Sequence, residues 1–289
     1  MNGQAIRRSI AATDKIRKIT KAMQLVSANH LAHAVHIEAN GKPYVAAIDD
    51  IISYWMIRHK EMQHPFFVQS PLLQQLVVIF SSDRGLCGAL NLNTFKVATE
   101  RMAQDAKEFN IKSTIIAVGE KALNFFGRGG MDLYASVTKL GNHPTLSQLS
   151  GIITLITDGY HNQQWQRVVL VYPSFVNTMV QKPVIETLLP ITQVLREHPK
   201  SIMDAIDYIY EPTMSQVVDV LLEHYMDAHI HQAALEMLAS EQAARMVAMQ
   251  NATDNAETCK KDLERDYNKA RQAAITQEIA EITAGSEAL

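Results

Sequence analysis

From Thr213 to about Thr283 the chain contains neither proline nor glycine. Alanine, leucine, methionine, glutamate, glutamine and arginine fill most of this stretch, and all are good helix formers. As one unbroken helix it would reach about 105 Å. No ordinary globular domain spans that distance, so such a helix needs a partner along its length or a surface that encloses it. Leu235, Leu238, Gln242, Arg245, Met249, Ala252, Ala256, Cys259, Leu263 and Asp266 recur alternately three and four residues apart, which is the spacing of a coiled-coil seam. The seam is a poor one for a free dimer. Arg245 and Asp266 sit on it, and its alanines allow close approach while burying little apolar area.

The N-terminal stretch supplies a partner. Gly3 to His36 has no internal glycine or proline, and Ile6, Ile10, Ile16, Ile19, Met23 and Val26 can form a stripe. Gly41 and Pro43 interrupt the pattern, which resumes at Tyr44 and closes at Pro65. A proline here fits either a bent continuous helix or the start of a new one. The simplest arrangement pairs the two ends of the chain as an antiparallel coiled coil around a separate body. The expected layout is an N-terminal coil helix over 1–65, a body over 72–190, a return segment over 191–212 and a C-terminal coil helix over 213–289.

The body alternates short apolar runs with helical stretches. Leu76–Phe80, Ser113–Val118 and Arg167–Tyr172 read as buried strands, Asp132–Val137 as an edge strand and Phe175–Val184 as a further strand. Thr94–Phe109, Lys121–Phe126 and Leu146–Asp158 read as helices. That alternation predicts an α/β layer with helices packed on a sheet. Beyond it, Ile185–Glu211 is less regular and leads back to the coil.

The formal charge of −3 gives no global basic field that would point to nucleic acid. The two cysteines, Cys87 and Cys259, fall in a predicted loop and a predicted long helix, which argues against a disulfide scaffold. No apolar run is long enough to span a bilayer. The basic start (Arg7, Arg8, Lys15, Arg17, Lys18, Lys21) merges into the coil stripe and reads as structural, not as a targeting segment.

The loop from Ser82 to Asn91 carries Asp83, Arg84, Gly85 and Gly88 after the first strand. It matches neither the dinucleotide fingerprint nor a phosphate-binding loop, so a structural or docking role is expected. Nothing supplies Cys87 with a base. His30, His33 and His36 drift off a single helix face, and His224, His229 and His231 read as packed or solvated coil positions. The carboxylate pairs Asp204/Asp207 and Glu278/Glu281 fit solvated helix faces. The residues give no reason to expect an active site. A tethering coiled-coil protein with an α/β head and a nucleotide-binding α/β protein with helical arms remain as alternatives.

Three stretches resemble the gamma subunit of the rotary F-type ATP synthase. Ile16-Arg17-Lys18-Ile19-Thr20-Lys21-Ala22-Met23 is similar to the family's N-terminal box, and Ser82 through Asn91 to its Ser-Asp-Arg-Gly-Leu-Cys-Gly loop. Near the end, Glu241–Met249, Ala252–Asn255, Tyr267–Gln272 and Ile275–Ile279 complete the likeness. The resemblance implies a long antiparallel coiled coil of the terminal helices plus a central Rossmann-like α/β domain. It implies a shaft inside a ring of three alpha and three beta subunits, with the body near the membrane against the epsilon subunit and the c-ring. The chain would be a peripheral, non-catalytic subunit on the cytoplasmic side of a bacterial inner membrane. The resemblance also implies no cofactor for this chain, because nucleotide and magnesium would belong to the alpha and beta subunits.

By the same match, Lys18, Lys21 and Met23 would face the mobile lever of a beta subunit, while Arg245 and Gln272 would meet beta-subunit loops higher up. Asp83, Arg84, Gly85 and Gly88 would serve as a structural loop of the body. Two departures stand out. Asn29-His30-Leu31-Ala32-His33-Ala34 replaces a strongly basic stretch with histidines, and Gly41-Lys42-Pro43-Tyr44 replaces an Arg-Pro-Tyr pattern. No dithiol insert is present, so thiol regulation is not expected.

Overall fold

The computed structural model describes residues 3–59, 64–68, 71–192, 210–211 and 213–287. The helices are α1 (Gly3–Arg58), α2 (Leu90–Phe109), α3 (Glu120–Arg128), α4 (Leu146–His161) and α5 (Met214–Glu287). The strands are β1 (Gln74–Phe80), β2 (Lys112–Val118), β3 (Leu133–Val137), β4 (Arg167–Asn177) and β5 (Val180–Leu189). The chain forms two compact units, Asn29–Ala244 on one hand and Met1–Ala28 with Arg245–Leu289 on the other. The return segment over 193–209 and 212, with Asp204 and Asp207, lies outside the described residues.

The larger unit holds one sheet in the order β3-β2-β1-β4-β5, parallel except for the antiparallel β4–β5 pair. Successive side chains of a strand point to opposite faces, and both faces here are covered. Val77, Ile79, Ile115, Ala117, Val169 and Val171 pack with Phe95, Met102 and Phe126 of α2 and α3. Leu76, Val78, Phe80, Ile116, Val118 and Leu170 pack on the other side with α4 and with Ile52, Trp55, Leu222 and Tyr225 of the long helices. Burial on both faces explains why these strands are continuous apolar runs without alternation. The Rossmann-like expectation therefore holds.

One strand differs from expectation. Phe175–Val184 is not a single strand, because the chain reverses at Thr178-Met179 and β4 and β5 form a hairpin. Asn177 makes the turn: its Oδ1 accepts from the backbone N–H of Met179 and of Val180, each at 2.9 Å.

The long helix α1 runs through Gly41 and Pro43 without a break, which settles the sequence alternatives in favour of one continuous helix. Pro43 sacrifices one backbone hydrogen bond. Gly41 permits close approach to α5, since a Cβ there would collide with the Gln232 side chain. In this unit Leu31, Ala34, Ile48, Ile52 and Trp55 turn inward at heptad spacing. His229 of α5 reaches both α1 and β5 here.

The smaller unit pairs the first 28 residues with α5 from Arg245 onward. Its seam is not the isoleucine stripe. Ile16, Ile19 and Val26 are each more than half exposed, while Ile6 and the polar residues Thr20 and Ser27 are buried and Thr13, Arg17 and Gln24 partly so. Across the seam, Thr20 meets Thr253 with hydroxyl oxygens 2.8 Å apart, Gln24 meets Gln250, and Lys260 Nζ reaches Asp14 at 3.0 Å. On α5 the expected seam holds at Arg245, Met249 and Ala256, but Cys259 and Asp266 are exposed and their neighbours Lys260 and Tyr267 turn inward instead. Small and polar side chains matched in pairs set this register, so apolarity misidentified the inward face.

The hydroxyl pair gives a testable consequence. The Thr253 hydroxyl oxygen also lies 2.8 Å from the Met249 carbonyl and that of Thr20 3.1 Å from the Arg17 carbonyl, so one hydroxyl donates across the seam while the other donates to its own helix. Thr253→Val keeps the shape and removes the hydroxyl from a buried site. A cost of about 1 kcal/mol is expected, seen as a lower urea midpoint with an unchanged slope.

Candidate partner-contact surfaces

In the smaller unit the expected contact residues of α1 separate onto two faces. At about 100° per residue, Met23 lies some 140° from Lys18 and 160° from Lys21. Met23 is half-buried and belongs to the outward apolar line Ile16, Ile19, Met23, Val26, which advances by three and four residues. Lys18 and Lys21 leave the seam on the other side, both exposed. Lys18 pairs with Asp14 at 3.0 Å, and Lys21 donates to Gln24 at 3.1 Å. With Lys260, Lys18 and Arg17 all around it, the Asp14 carboxyl is held well below the usual carboxylate range. A partner that meets Met23 and both lysines has to wrap the helix.

On α5, Arg245 is only 7% exposed, drawn into the seam by its heptad position. It is therefore packed into the seam and does not project into solvent. Gln272 is exposed. From Arg271 to Thr283 every side chain of α5 is exposed, including Ile275, Ile279 and Ile282. The set Gln272, Ile275, Ile279, Ile282 advances by three, four and three residues and so forms one face. Sequence reasoning singled out Gln272 but not the exposed isoleucines on its face, although their helical spacing was the available signal.

In the larger unit the loop after β1 is a latch. The Asp83 carboxylate accepts from the backbone N–H of Glu120 and of Lys139, each at 3.0 Å. Ser81 Oγ accepts from the Ala122 N–H at 2.8 Å. The α3 N-terminus, where an anion would otherwise bind, is thus already occupied by the chain's own Asp83 and Ser81. Asn91 donates to Ser82 Oγ at 2.8 Å and to Cys87 Sγ at 3.3 Å, tying the loop to α2. Gly88 takes a φ of +60° with open space around it. Gly85 and Gly88 border a shallow recess of about 440 Å³ that Phe95, Lys121, Phe125 and Arg128 complete. Cys87 is buried and unpaired with any disulfide partner. Among the described residues no group of three or more histidine, cysteine, aspartate or glutamate side chains is arranged to hold a metal.

A family profile described as ATP synthase matches residues 2–289. The ATP synthase gamma chain of Haemophilus influenzae (strain 86-028NP) is 38% identical over 284 residues, covering 98% of each chain. The chain belongs to the ATP synthase gamma-chain family. Solved structures repeat its fold. A chain of the Euglena gracilis mitochondrial ATP synthase rotor in rotational state 1 gives a TM-score of 0.63 at 19% identity, covering 94% of this chain and 98% of that one. A chain of the OSCP/F1/c-ring assembly of the same enzyme in rotational state 3 gives 0.68 at 20% identity, covering 99% and 94%. At such identity the likeness speaks for the fold.

Proposed function

We propose that the chain is the central rotor shaft of an F-type ATP synthase, coupling ion-driven rotation to the conformational cycle of the catalytic subunits. Membership of the gamma-chain family over essentially the whole length carries this reading. The chain is a non-catalytic subunit; its work is to present different faces to its surroundings as it turns. A coupling element must contact at least two states of its partner differently, and the smaller unit has unlike faces to offer. One carries the Ile16–Val26 apolar line, another carries Lys18 and Lys21, and the end of α5 carries Gln272 with its isoleucines.

Three alpha and three beta subunits surround the coil in this reading, and the body meets the epsilon subunit and the c-ring. Lys18, Lys21 and Met23 face the beta-subunit lever, Arg245 and Gln272 its upper loops. The chain then sits peripherally at the cytoplasmic face of a bacterial inner membrane, held there by its partners. Among the described residues no helix is long and apolar enough to cross a membrane.

Native mass spectrometry of tagged chain purified from its own cells tests the assembly. One copy with three alpha, three beta and an epsilon subunit is expected; a homodimer without them overturns the reading and favours a tethering coil. A substitution tests the end of α5. Ile279 is 59% exposed, so Ile279→Asp leaves the isolated chain within about 0.5 kcal/mol of its original stability. If the isoleucine face bears on the surrounding subunits, ATP turnover of the assembled complex falls about five-fold, the scale of one lost apolar contact at an interface. Unchanged turnover removes that face from the contact set.

A further inference from the structure

We propose that His229, held as an imidazolium between Asp49 and Glu186, bolts the two long helices to the edge of the sheet and positions the shaft for torque transfer. The inference rests on the rotor reading above. The residues involved all lie within the larger unit. His229 on α5 places Nε2 2.9 Å from Asp49 Oδ1 on α1 and Nδ1 2.7 Å from Glu186 Oε1 on β5. Ionised carboxylates only accept hydrogen bonds, and a neutral imidazole has one N–H. A neutral ring would therefore face one of the two carboxylates lone pair to lone pair. With both nitrogens protonated, each makes a charge-assisted bond. Three elements distant in sequence then meet at one ring.

The surroundings complete the clamp. Glu186 is itself oriented from β4, where the Tyr172 hydroxyl donates to its Oε2 at 2.7 Å. The Tyr225 ring lies 4.2 Å from the imidazole, centroid to centroid, and covers it from α5. The charged groups facing the ring are Asp49 from α1 and Glu186 from β5, while Glu236 of α5 acts more remotely through Tyr172. Burial opposes the charge on His229, but hydrogen bonds and attraction from the two carboxylates outweigh it and raise the ring to about 9. Glu186 is pushed up by burial, yet the His229 ring and Tyr172 bring it below the ordinary carboxylate value. Burial first, and then the nearby carboxylates, raise both tyrosines, which stay neutral.

The direction of the pH effect follows. A histidine raised from 6.5 in the unfolded chain to about 9 in the folded one contributes stability that is full below the lower value. That contribution declines between the two values and is lost above the upper one. In the folded rotor the bolt itself releases near pH 9, when the ring loses its second proton and one carboxylate loses its donor. Coupling by a shaft depends on the helices and the sheet turning together, so release appears as slip.

The test uses the complete enzyme in inverted membrane vesicles, comparing ATP-driven ion uptake with ATP hydrolysis between about pH 7 and pH 10. For the natural chain, uptake per ATP is expected to fall by about half near pH 9, where half of the rings are neutral. His229→Gln removes the cation, so its ratio is low and flat across the range. His229→Lys keeps a cation to about pH 10 and moves the fall to higher pH, while Asp49→Asn moves it lower. The proposal is overturned if His229→Gln matches the natural chain at every pH. It is equally overturned if the ratio of His229→Gln falls in parallel with that of the natural chain, because a merely structural role scales the profile without changing its shape. Should His229→Gln fail to assemble, the shift of His229→Lys decides alone. Failure of the rotor reading is separate: tagged chain would then purify without ATP hydrolysis.

Discussion

Asp105→Ala is expected to destabilise the body by about 3–5 kcal/mol, the scale of a buried ion pair that loses one partner. Asp105 is almost wholly buried in the last turn of α2, where the helix dipole disfavours a carboxylate. Its cations offset that. Asp105 Oδ2 accepts from Arg167 Nη2 at 2.5 Å, from Arg101 Nε at 3.1 Å and from Gln75 Nε2 at 3.1 Å. Arg167 on β4 also donates twice to Gln75 Oε1 on β1, at 3.0 and 2.5 Å. Burial already lowers the pKa of Arg167, and the Asp105 charge opposes that shift. Removing the carboxylate leaves a largely buried guanidinium with the Gln75 amide oxygen as its acceptor. Urea unfolding of the full chain reads the loss as a lower midpoint. The double variant Asp105→Leu with Arg167→Met recovers most of it, since an apolar replacement of the whole pair is far cheaper than a broken one. If Asp105→Ala costs under about 1 kcal/mol, the pair contributes no more than a surface bridge.

How much of this was legible in the chain depends on the kind of force at work. Buried strands such as Leu76–Phe80 and Ser113–Val118 announced themselves because both faces of the sheet are covered and their central residues are apolar in succession. The hairpin between β4 and β5 did not, since no glycine marks it. The signal was Asn177, whose side chain makes the turn by accepting two backbone N–H groups. Along the coil the inference went astray at Ile16, Ile19 and Val26 for a physical reason. Inward apolarity is the rule for a helix that packs only on itself, whereas these residues face outward in the lone chain. The matched pairs Thr20–Thr253 and Gln24–Gln250 hold the seam in their place. They are 233 and 226 residues apart, a relation that periodicity along one helix cannot contain. The His229 cluster is hidden in the same way, spread over Asp49, Glu186 and Tyr172. The latch loop was found by its glycines and Asp83, but its role needed coordinates, because the groups it caps belong to α3 and to Lys139.

Facing that latch, Gly119 is a position that tolerates a side chain poorly. Gly119→Ala is expected to cost about 3–6 kcal/mol, combining backbone strain with overpacking. Gly119 closes β2 at a φ of +100°, a region where an L side chain is strained in any surroundings. A Cβ there would strike the Ser81 carbonyl oxygen and lie 2.7 Å from Ser81 Oγ. Neither atom is free to move. Ser81 N–H is bonded to the Val118 carbonyl at 2.8 Å, and its hydroxyl links that carbonyl to the Ala122 N–H. Gly119 N–H meanwhile holds the Val137 carbonyl at 2.7 Å. Relieving the collision requires the ends of β1, β2 and β3 to separate, which releases α3 as well. Gly88 provides the contrast. It too has positive φ, but nothing lies within 4 Å of its Cβ position. Gly88→Asn therefore carries only the modest cost of an asparagine in the left-handed region, about 1 kcal/mol or less. Comparing the two in the full chain by thermal unfolding separates collision from conformation. If Gly119→Ala and Gly88→Asn cost the same, the close approach of Ser81 has no energetic consequence and the latch is looser than its hydrogen bonds imply.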